Sequence, residues 1–255
     1  MRPGHSDYPA FIKYEGFKDV RGGGHFSGRI TAPLVFAGAI AKQLLKKQGI
    51  KVCSQIYSIG NVCGEHITDF GDDNIQKLNR LFFGVADEEL KEKMLAEIEE
   101  GRKNGDSTGG IVECAVVGVP AGVGQPFFDS VESRMAQMIF SVPAVKGIEF
   151  GMGFDITKIR GSEANDNYFY DEEGNVKTKT NNNGGITGGI TNGMPIVFRT
   201  AIKPTPSISI EQDTIDVAEK CNAKVTVQGR HDACIVPRAA VVIEAAAALV
   251  IYDLL

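Results

Sequence analysis

The sequence has no excess of basic charge. Its 27 lysines and arginines are outnumbered by 32 aspartates and glutamates, which gives a formal net charge of −5. A nucleic-acid binder normally shows a basic excess or a basic stripe, so this class of protein is disfavoured. The charge balance still permits a local basic pocket for an anionic small molecule.

Paired cysteines are also lacking. The five cysteines form no CxxC pair, and their odd number argues against a disulfide framework. Reduced thiols are typical of a cytoplasmic protein, and this is the location that we predict. No N-terminal stretch combines basic residues with an apolar run, so we expect no signal peptide.

A membrane span is not predicted either. The apolar tail, residues 239–255, is too short to cross a bilayer and carries Glu244 and Asp253. Its alanine-rich composition predicts a buried helix instead. A chain of this length buries roughly 70–75% of its unfolded surface, so it needs neither a disulfide nor a metal to fold.

Hydrophobic periodicity predicts four helices and five strands. Apolar residues repeat with helical spacing after Thr31, which is suited to cap a helix, and again after Asp87. Alternating or β-branched runs indicate the strands. The predicted helices cover residues 31–49, 87–103, 127–140 and 238–255. The predicted strands cover residues 50–60, 111–120, 146–150, 195–203 and 224–227.

Two segments show no clear period. Residues 1–28 are rich in glycine, histidine, tyrosine and charge, which is typical of a functional loop region. Residues 160–192 hold an acidic-aromatic tract and then Asn- and Gly-rich runs, which predict a long mobile loop. Because strands and helices alternate without a βαβ rhythm, we predict a single α+β domain with antiparallel sheets.

Four clusters of chemically capable residues lie far apart in the chain, at residues 2–7, 21–29, 181–207 and 228–238. Their glycines let the backbone approach a ligand, and their arginines offer forked donors to phosphate and carboxylate. His5, His25 and His231 are three of only four histidines, and each stands beside glycine or arginine. Histidine is the usual proton carrier near neutral pH, so these clusters favour an anion site.

Each cluster also has a plainer interpretation. Glycine runs are more often turns than phosphate cradles, and the 21–29 segment matches neither a dinucleotide-binding nor a Walker motif. A single Arg-His-Asp triplet is usually a surface ion cluster of small energetic worth. Composition and spacing alone therefore indicate only a site for a phosphorylated or carboxylated small molecule, with acid–base chemistry as an option.

Taken together, the clusters resemble the chorismate synthase family in wording and in order. The segment from Arg2 to Asp7 is similar to the family's Arg-Pro-Gly-His-Ala-Asp motif. Residues 24–31 are similar to its Gly-x-x-Ser-[Ala/Gly]-Arg-x-[Ser/Thr] signature, and the segment from Arg230 to Cys234 to its Arg-His-Asp-x-Cys signature. The resemblance extends from residue 2 to the last predicted helix.

The resemblance implies a fold like the family's β-α-β sandwich, with helices packed between antiparallel sheets. It implies the 1,4-anti elimination of phosphate from 5-enolpyruvylshikimate-3-phosphate to give chorismate, a step of the shikimate pathway. The implied cofactor is reduced FMN, and an external reductant is expected because no reductase module is visible. The resemblance further implies a homotetramer and no metal.

The resemblance also implies roles for residues of this sequence. His5 and Asp232 correspond to catalytic positions, the first near the flavin and the second assisting deprotonation. Arg29 and Arg230 correspond to arginines that hold substrate or flavin anions. The implied flavin contacts are His25, Phe26, Ser27, Ala144, Gly188, Lys203, Pro204, Thr205, Pro206, Ser207 and Arg230. Many members carry Arg-Ser-Ser where this chain has His-Phe-Ser, so contacts of an arginine side chain are not expected there.

One departure from the family lies at the front of the chain. Family chains normally begin with a further segment that holds a Gly-Glu-Ser-His motif, and this sequence has none; His66 stands in a superficially similar context but far downstream. We therefore expect a chorismate synthase-like domain over residues 1–255 that is incomplete at its N-terminus. Losing that histidine as a general acid would lower the rate by about 10²–10⁴-fold, and we expect the chain as given not to complete the elimination, even if it retains some affinity for FMN. The alternative is a truncated or decayed chain that binds flavin or anions without catalysis.

Overall fold

A computed structural model describes residues 1–17, 19, 22–229 and 231–255 of the chain. The α-helices among them are Asp7–Lys13 (α1), Ala32–Lys47 (α2), Asp72–Leu78 (α3), Glu88–Lys103 (α4), Val131–Phe140 (α5), Gly161–Ala164 (α6) and Val236–Leu254 (α7). The strands are Lys51–Ile59 (β1), Val62–Cys63 (β2), Gly110–Val117 (β3), Val145–Phe150 (β4), Tyr168–Tyr170 (β5), Val176–Thr178 (β6), Ile186–Thr187 (β7), Ile190–Thr191 (β8), Ile196–Ile202 (β9), Gln212–Asp216 (β10) and Cys221–Val225 (β11). Short 3₁₀ turns occupy Gly24–Phe26, Gly28–Thr31, Phe127–Asp129 and Gly153–Lys158.

Five antiparallel strands form the central sheet, in the order β2-β1-β3-β9-β4. The β-branched residues of β1, β3 and β9 favour extended backbone because they pack well on a pleated surface. Val112 and Val116 of β3 and Phe198 of β9 are completely buried in this sheet. The pairs β5–β6, β7–β8 and β10–β11 form three separate two-stranded hairpins.

Helices α2, α5 and α7 cover one face of the sheet, and α7 packs against α2, α5, β1 and β3. The small side chains of α7 allow α2 to come close, since Gly38 of α2 lies directly against Ala245 of α7. Lys42 and Glu244 form an ion pair between the same two helices. The main hydrophobic core lies between this helix layer and the sheet; its buried members include Leu45, Ile56, Met135, Ile139, Phe198, Ile243 and Ile251.

The opposite face of the sheet carries a smaller core and a buried charge. This core consists of Cys53, Ile67, Ile75, Leu78 and Ala115. Glu113 of β3 is completely buried and accepts hydrogen bonds from the backbone nitrogen of Ile67 (2.6 Å) and from Nδ1 of His66 (2.5 Å). Arg199 of β9 donates to Nε2 of His66 (2.9 Å). His66 is therefore part of a structural ion cluster on the face that α2 and α7 leave uncovered.

The α+β class with antiparallel sheets is confirmed, and all predicted helices and strands occur with shifted boundaries. Asp87 caps α4 as expected, because its carboxylate accepts a hydrogen bond from the backbone nitrogen of Leu90 (3.0 Å). Thr31 does stand at the N-cap position of α2. Its hydroxyl, however, donates to the carbonyl of Gly28 (2.7 Å), which closes the preceding 3₁₀ turn rather than capping the helix.

Three expectations are corrected by the structure. The helix predicted over residues 127–140 begins only at Val131, because Phe127 adopts a left-handed φ of 63° and Ser130 caps the helix through the backbone nitrogen of Ser133. Residues 1–28 contain α1, and α3 occurs where the sequence predicts no element. Both helices have only seven residues, and such short helices are stabilised mainly by tertiary packing.

The long loop predicted over residues 160–192 instead contains the hairpins β5–β6 and β7–β8. Asp166 ties them together, since its carboxylate accepts from the hydroxyl of Thr180 (2.7 Å) and from the backbone nitrogens of Asn182 (2.7 Å) and Asn183 (2.9 Å). Burial alone would raise the pKa of Asp166, but these hydrogen bonds outweigh it and lower the pKa. Asp166 thus orders this segment, and hydrophobic periodicity in the sequence could not have predicted this role.

Alanine should have opposite effects on stability at Gly38, which lies in the contact of α2 with α7, and at Gly101, which lies outside it. In Gly38→Ala the new Cβ would lie 2.6 Å from Cα and 2.7 Å from the carbonyl oxygen of Ala245. We expect this overpacking to lower the free energy of unfolding by about 1–3 kcal/mol. In the control Gly101→Ala, on α4, the nearest atom would be 3.8 Å away, and the better helix propensity of alanine should stabilise by about 0.5–1 kcal/mol. Urea denaturation measures both; equal effects of the two substitutions would contradict the packing.

Candidate active site

A cleft of about 800 Å³ brings together segments that lie far apart in the sequence. Its walls come from the loop before α1, the 3₁₀ turns that lead into α2, the loop after α5, the segment after β9 and the start of α7. The lining residues that bear on its chemistry are Gly4, His5, Phe26, Ser27, Arg29, Ala144, Lys203, Thr205, Ser207, His231, Asp232 and Arg238. Both α2 and α7 begin at this cleft, so the positive ends of two helix dipoles point toward it.

A second groove, of about 900 Å³, lies beside the β5–β6 and β7–β8 hairpins. Among the described residues, Lys177 is the one charged residue that lines it. The described lining of the first cleft includes instead three histidines, three basic side chains and one carboxylate. Concentrated titratable groups are typical of functional sites, so the first cleft is the candidate active site.

His5 is held by an ion pair at the entrance to α1. Oδ1 of Asp7 lies 2.9 Å from Nδ1 of His5. The Arg2 guanidinium binds both carboxylate oxygens of Asp7, with Nε 2.8 Å from Oδ2 and Nη2 2.9 Å from Oδ1. The side chains of His5 and Asp7 are 15% and 14% exposed, so water competes little with these contacts.

The contacts between Arg2 and Asp7 also shift the pKa values of both side chains. Hydrogen bonds from Arg2 hold the pKa of Asp7 far below its usual range, although burial acts against this shift. The hydrogen bonds that Arg2 donates to Asp7 in turn raise the pKa of the Arg2 guanidinium. Asp7 is therefore a carboxylate throughout the physiological pH range.

Lys203 joins two walls of the cleft. Its ammonium group donates to the carbonyl oxygen of Gly4 (2.6 Å), next to His5. Its backbone nitrogen donates to the carbonyl oxygen of Ala144 (3.0 Å). Ala144 itself adopts a left-handed φ of 76°, a strained conformation for a residue with a side chain, and such strain is concentrated at functional sites.

Arg29 stands in the 3₁₀ turn that leads into α2. The hydroxyl of Ser27 caps this turn by accepting from the backbone nitrogen of Arg29 (3.2 Å). The Arg29 side chain is exposed at the cleft, close to the first turn of α2. A guanidinium beside a helix N-terminus is a favourable place for a phosphate or carboxylate.

The start of α7 supplies the acidic group of the cleft. Nη1 of Arg238, in the first turn of α7, lies 2.5 Å from Oδ2 of Asp232. His231 donates from Nε2 to the carbonyl oxygen of Val227 (3.0 Å), which orients the ring. Asp232 is therefore paired with a cation on a helix, although the two side chains are 43% and 72% exposed, and Arg238 adds a positive charge to which the motifs give no role.

The cleft includes most of the residues to which the resemblance gives a role. Those that line it are His5, His25, Phe26, Ser27, Arg29, Ala144, Lys203, Thr205, Pro206, Ser207 and Asp232. Pro204 belongs to the same segment but is not a lining residue, and Gly188 lies elsewhere, in the turn between β7 and β8. Arg230 lies outside the residues that the structure describes. Arg238 belongs to the predicted cluster at residues 228–238, but the resemblance gives it no role.

A metal centre and a membrane span are the two other kinds of site or segment to consider in the described residues. Within them, no group of three or more histidine, cysteine or acidic side chains is arranged to hold a metal ion. None of the helices found there is both long and apolar enough to cross a membrane.

Comparison with known proteins points to one family. The family model described as "Chorismate synthase" matches residues 1–255. The chorismate synthase of Pyrococcus abyssi is 50% identical over 252 residues, which are 99% of this chain and 69% of that protein. The chorismate synthase of Dehalococcoides mccartyi is 44% identical over 254 residues, which are 100% of this chain and 69% of that protein.

A solved structure gives the same relationship at the level of the fold. It is described as "Crystal Structure of Chorismate Synthase" and is 31% identical in sequence, with a TM-score of 0.79. The match covers 98% of this chain and 69% of that chain. The similarity therefore includes every segment that lines the cleft.

The depressed pKa of Asp7 predicts a pH-dependent contribution to stability. The folded carboxylate has a pKa below its unfolded value of about 3.9, so its stabilising effect is complete above that pH and is lost as the pH falls below it. We expect Asp7→Asn to lower the free energy of unfolding at neutral pH by about 1.5–3 kcal/mol. The difference from the wild type should shrink below about pH 4. Denaturation as a function of pH measures it, with Asp73→Asn, in the first turn of α3, as the control; an Asp7→Asn difference that does not vary with pH would contradict this.

Proposed function

The chain belongs to the chorismate synthase family, and on that premise we propose that its cleft binds reduced FMN together with 5-enolpyruvylshikimate-3-phosphate. As a member of this family, the chain is a lyase that forms chorismate in the shikimate pathway. The matches do not favour the alternative of a decayed, non-catalytic chain. What we propose beyond the family assignment is the site, its cofactor and the role of each residue.

The residues of the cleft fit a flavin mononucleotide, which combines a flat, largely apolar ring system with an anionic phosphate. Phe26, Ile30 and Ile235 give the cleft apolar walls, while Arg29 and Lys203 are basic. The hydroxyl of Thr205 is buried and has no hydrogen-bond partner among the described residues. A buried polar atom without a partner is costly, so this hydroxyl is suited to a polar group of a ligand.

The reaction requires two things of the protein. The substrate loses inorganic phosphate and a carbon-bound proton, with no net change of oxidation state. Bound reduced FMN supplies electron density transiently as phosphate leaves. The protein must stabilise the negative charge that develops on the phosphate, and it must offer a base near the C–H bond.

We assign these tasks to groups that line the cleft. Arg29 binds an anionic group of the substrate or flavin, assisted by the N-terminal end of α2. Asp232 assists the loss of the carbon-bound proton, and Arg238 keeps its carboxylate in place at 2.5 Å. His5 holds or moves a proton beside the flavin. Arg230 is proposed as a further anion-binding residue from its motif alone.

One observation carries this proposal. His5, Arg29, Lys203 and Asp232 come from four segments of the chain and line a single cleft. Such convergence favours a shared ligand over four unrelated surface clusters. It also argues against the plainer interpretation, in which the motifs are only turns and isolated ion pairs.

The remaining parts of the proposal concern partners and location. An external reductant supplies the reduced flavin, and the protein acts as a homotetramer, as the resemblance implies. The cytoplasmic location predicted from the sequence is part of the proposal.

The proposed function is tested under anaerobic conditions with photoreduced FMN and 5-enolpyruvylshikimate-3-phosphate. The family assignment predicts chorismate and inorganic phosphate in equal amounts, only when the flavin is reduced, and this result would show that the sequence-based expectation of no turnover is wrong. Binding of FMN without product would favour a non-catalytic chain. Absence of both binding and product would contradict the assignment of the cleft.

The role of Asp232 predicts a loss of turnover without a loss of binding. Asp232→Asn keeps the shape of the side chain but removes its basicity, so turnover should fall by about 10²–10⁴-fold, while FMN affinity stays within about twofold. Asp213→Asn, on the exposed hairpin β10–β11, serves as the control. Wild-type turnover by Asp232→Asn would show that this carboxylate is not the base.

The role of Arg29 predicts a loss of substrate affinity. A charge-assisted hydrogen bond contributes about 1.5–3 kcal/mol, so Arg29→Ala should weaken substrate binding by about 10- to 100-fold. Calorimetry measures the affinity, and Arg102→Ala, on the exposed surface of α4, is the control. Unchanged affinity together with a lowered melting temperature would mean that Arg29 acts as a structural residue.

A further inference from the structure

The carboxylate of Asp7 is held in place by Arg2, independently of its contact with His5. Arg2 binds it through Nε, Nη2 and its own backbone nitrogen, at 2.8, 2.9 and 3.1 Å. Three donors from one residue leave the carboxylate little rotational freedom. Forked contacts of this kind are the most specific that arginine makes.

The position of Oδ1 of Asp7 decides which nitrogen of His5 carries the hydrogen. An ionised carboxylate can only accept, so the 2.9 Å contact with Nδ1 requires a hydrogen on Nδ1. The opposite tautomer would point a lone pair of Nδ1 at Oδ1. Among the described residues, the other contacts of Nδ1 are those with Arg2 (3.3 Å) and Ser6 (3.4 Å), and both are longer and weaker than the contact with Asp7.

We infer that Asp7 is the positioning residue for His5: it holds the ring in the tautomer protonated on Nδ1 and leaves Nε2 as the nitrogen that accepts a proton. Neutral histidine in water prefers the other tautomer, and a hydrogen-bond partner is what normally reverses this preference. Arg2 acts one step further away, because it orients the carboxylate of Asp7.

The surroundings of the pair are consistent with a fixed ring. Lys203 anchors the carbonyl of Gly4, the residue before His5, and α1 begins at Asp7. Gly4 has a left-handed φ of 67°, and a Cβ there would lie 3.2 Å from Pro206. Both the ring and the backbone that carries it are thus constrained from the cleft side.

The inference gives His5 a defined chemical form in the proposed reaction, and to that extent it rests on the proposed function. A histidine that holds or moves a proton beside a ligand must present one nitrogen consistently. With Nδ1 bonded to Asp7, proton exchange takes place at Nε2. Asp7 itself need not touch a ligand to affect turnover.

The tautomer can be measured without any assay of activity. The wild-type protein is labelled with ¹⁵N-histidine, and long-range ¹⁵N–¹H spectra are recorded while the pH is raised until the histidine shifts stop changing; His5→Gln identifies the signal. We expect His5 to carry its hydrogen on Nδ1. In Asp7→Leu, which is similar in shape but offers no acceptor, the hydrogen should move to Nε2.

Matched controls separate positioning from stability. Asp73→Leu removes an equivalent carboxylate from the first turn of α3 and should leave the His5 signal unchanged. Turnover of Asp7→Leu should fall by up to about 10²–10⁴-fold, with flavin affinity retained. If Asp7→Leu does not fold, as its melting curve will show, the wild-type spectrum decides alone.

Two results would overturn the inference: a wild-type His5 with its hydrogen on Nε2, or a folded Asp7→Leu protein in which the Nδ1 form persists. Failure of the proposed function is recognised separately. In that case the wild-type protein would form no chorismate with reduced FMN, while the spectra would still report the tautomer of His5.

Discussion

The close approach of α2 and α7 is the constraint on which the rest of the structure depends. It is possible because Gly38 has no side chain where it meets Ala245, and it is reinforced by the ion pair of Lys42 with Glu244. Both helices begin at the same cleft. Two helix N-termini therefore face one volume, which favours anions there although the chain as a whole is acidic.

Ionisable residues are concentrated in two places, on one face of the central sheet and at the cleft, and their contacts differ between the two. On the face that α2 and α7 leave uncovered, Glu113, His66 and Arg199 contact one another and hold the segment after β2 against the sheet. At the cleft, Arg29, Lys203 and Asp232 surround an open volume instead. The same residue types thus stabilise the fold in one place and are available to a ligand in the other.

Much of this could be predicted from the sequence, for identifiable reasons. The long amphipathic helices and β-branched strands were predictable because many residues share one period, whereas α1 and α3 are too short to show one. The motifs indicated which residues meet at the cleft, but Gly188 shows that membership of a motif does not fix a place in space. The role of Asp7 was hidden for a different reason: it depends on distances to Arg2 and His5, not on residue type.

The central claim is that the cleft between the starts of α2 and α7 is where the flavin binds. The most direct test is to titrate FMN into the ¹⁵N-labelled protein and to follow the backbone amide signals. The account predicts that the shifts concentrate on the turns before α2, on Ala144, on the segment after β9 and on Asp232. Shifts confined to the groove around Lys177, with the cleft unaffected, would contradict it.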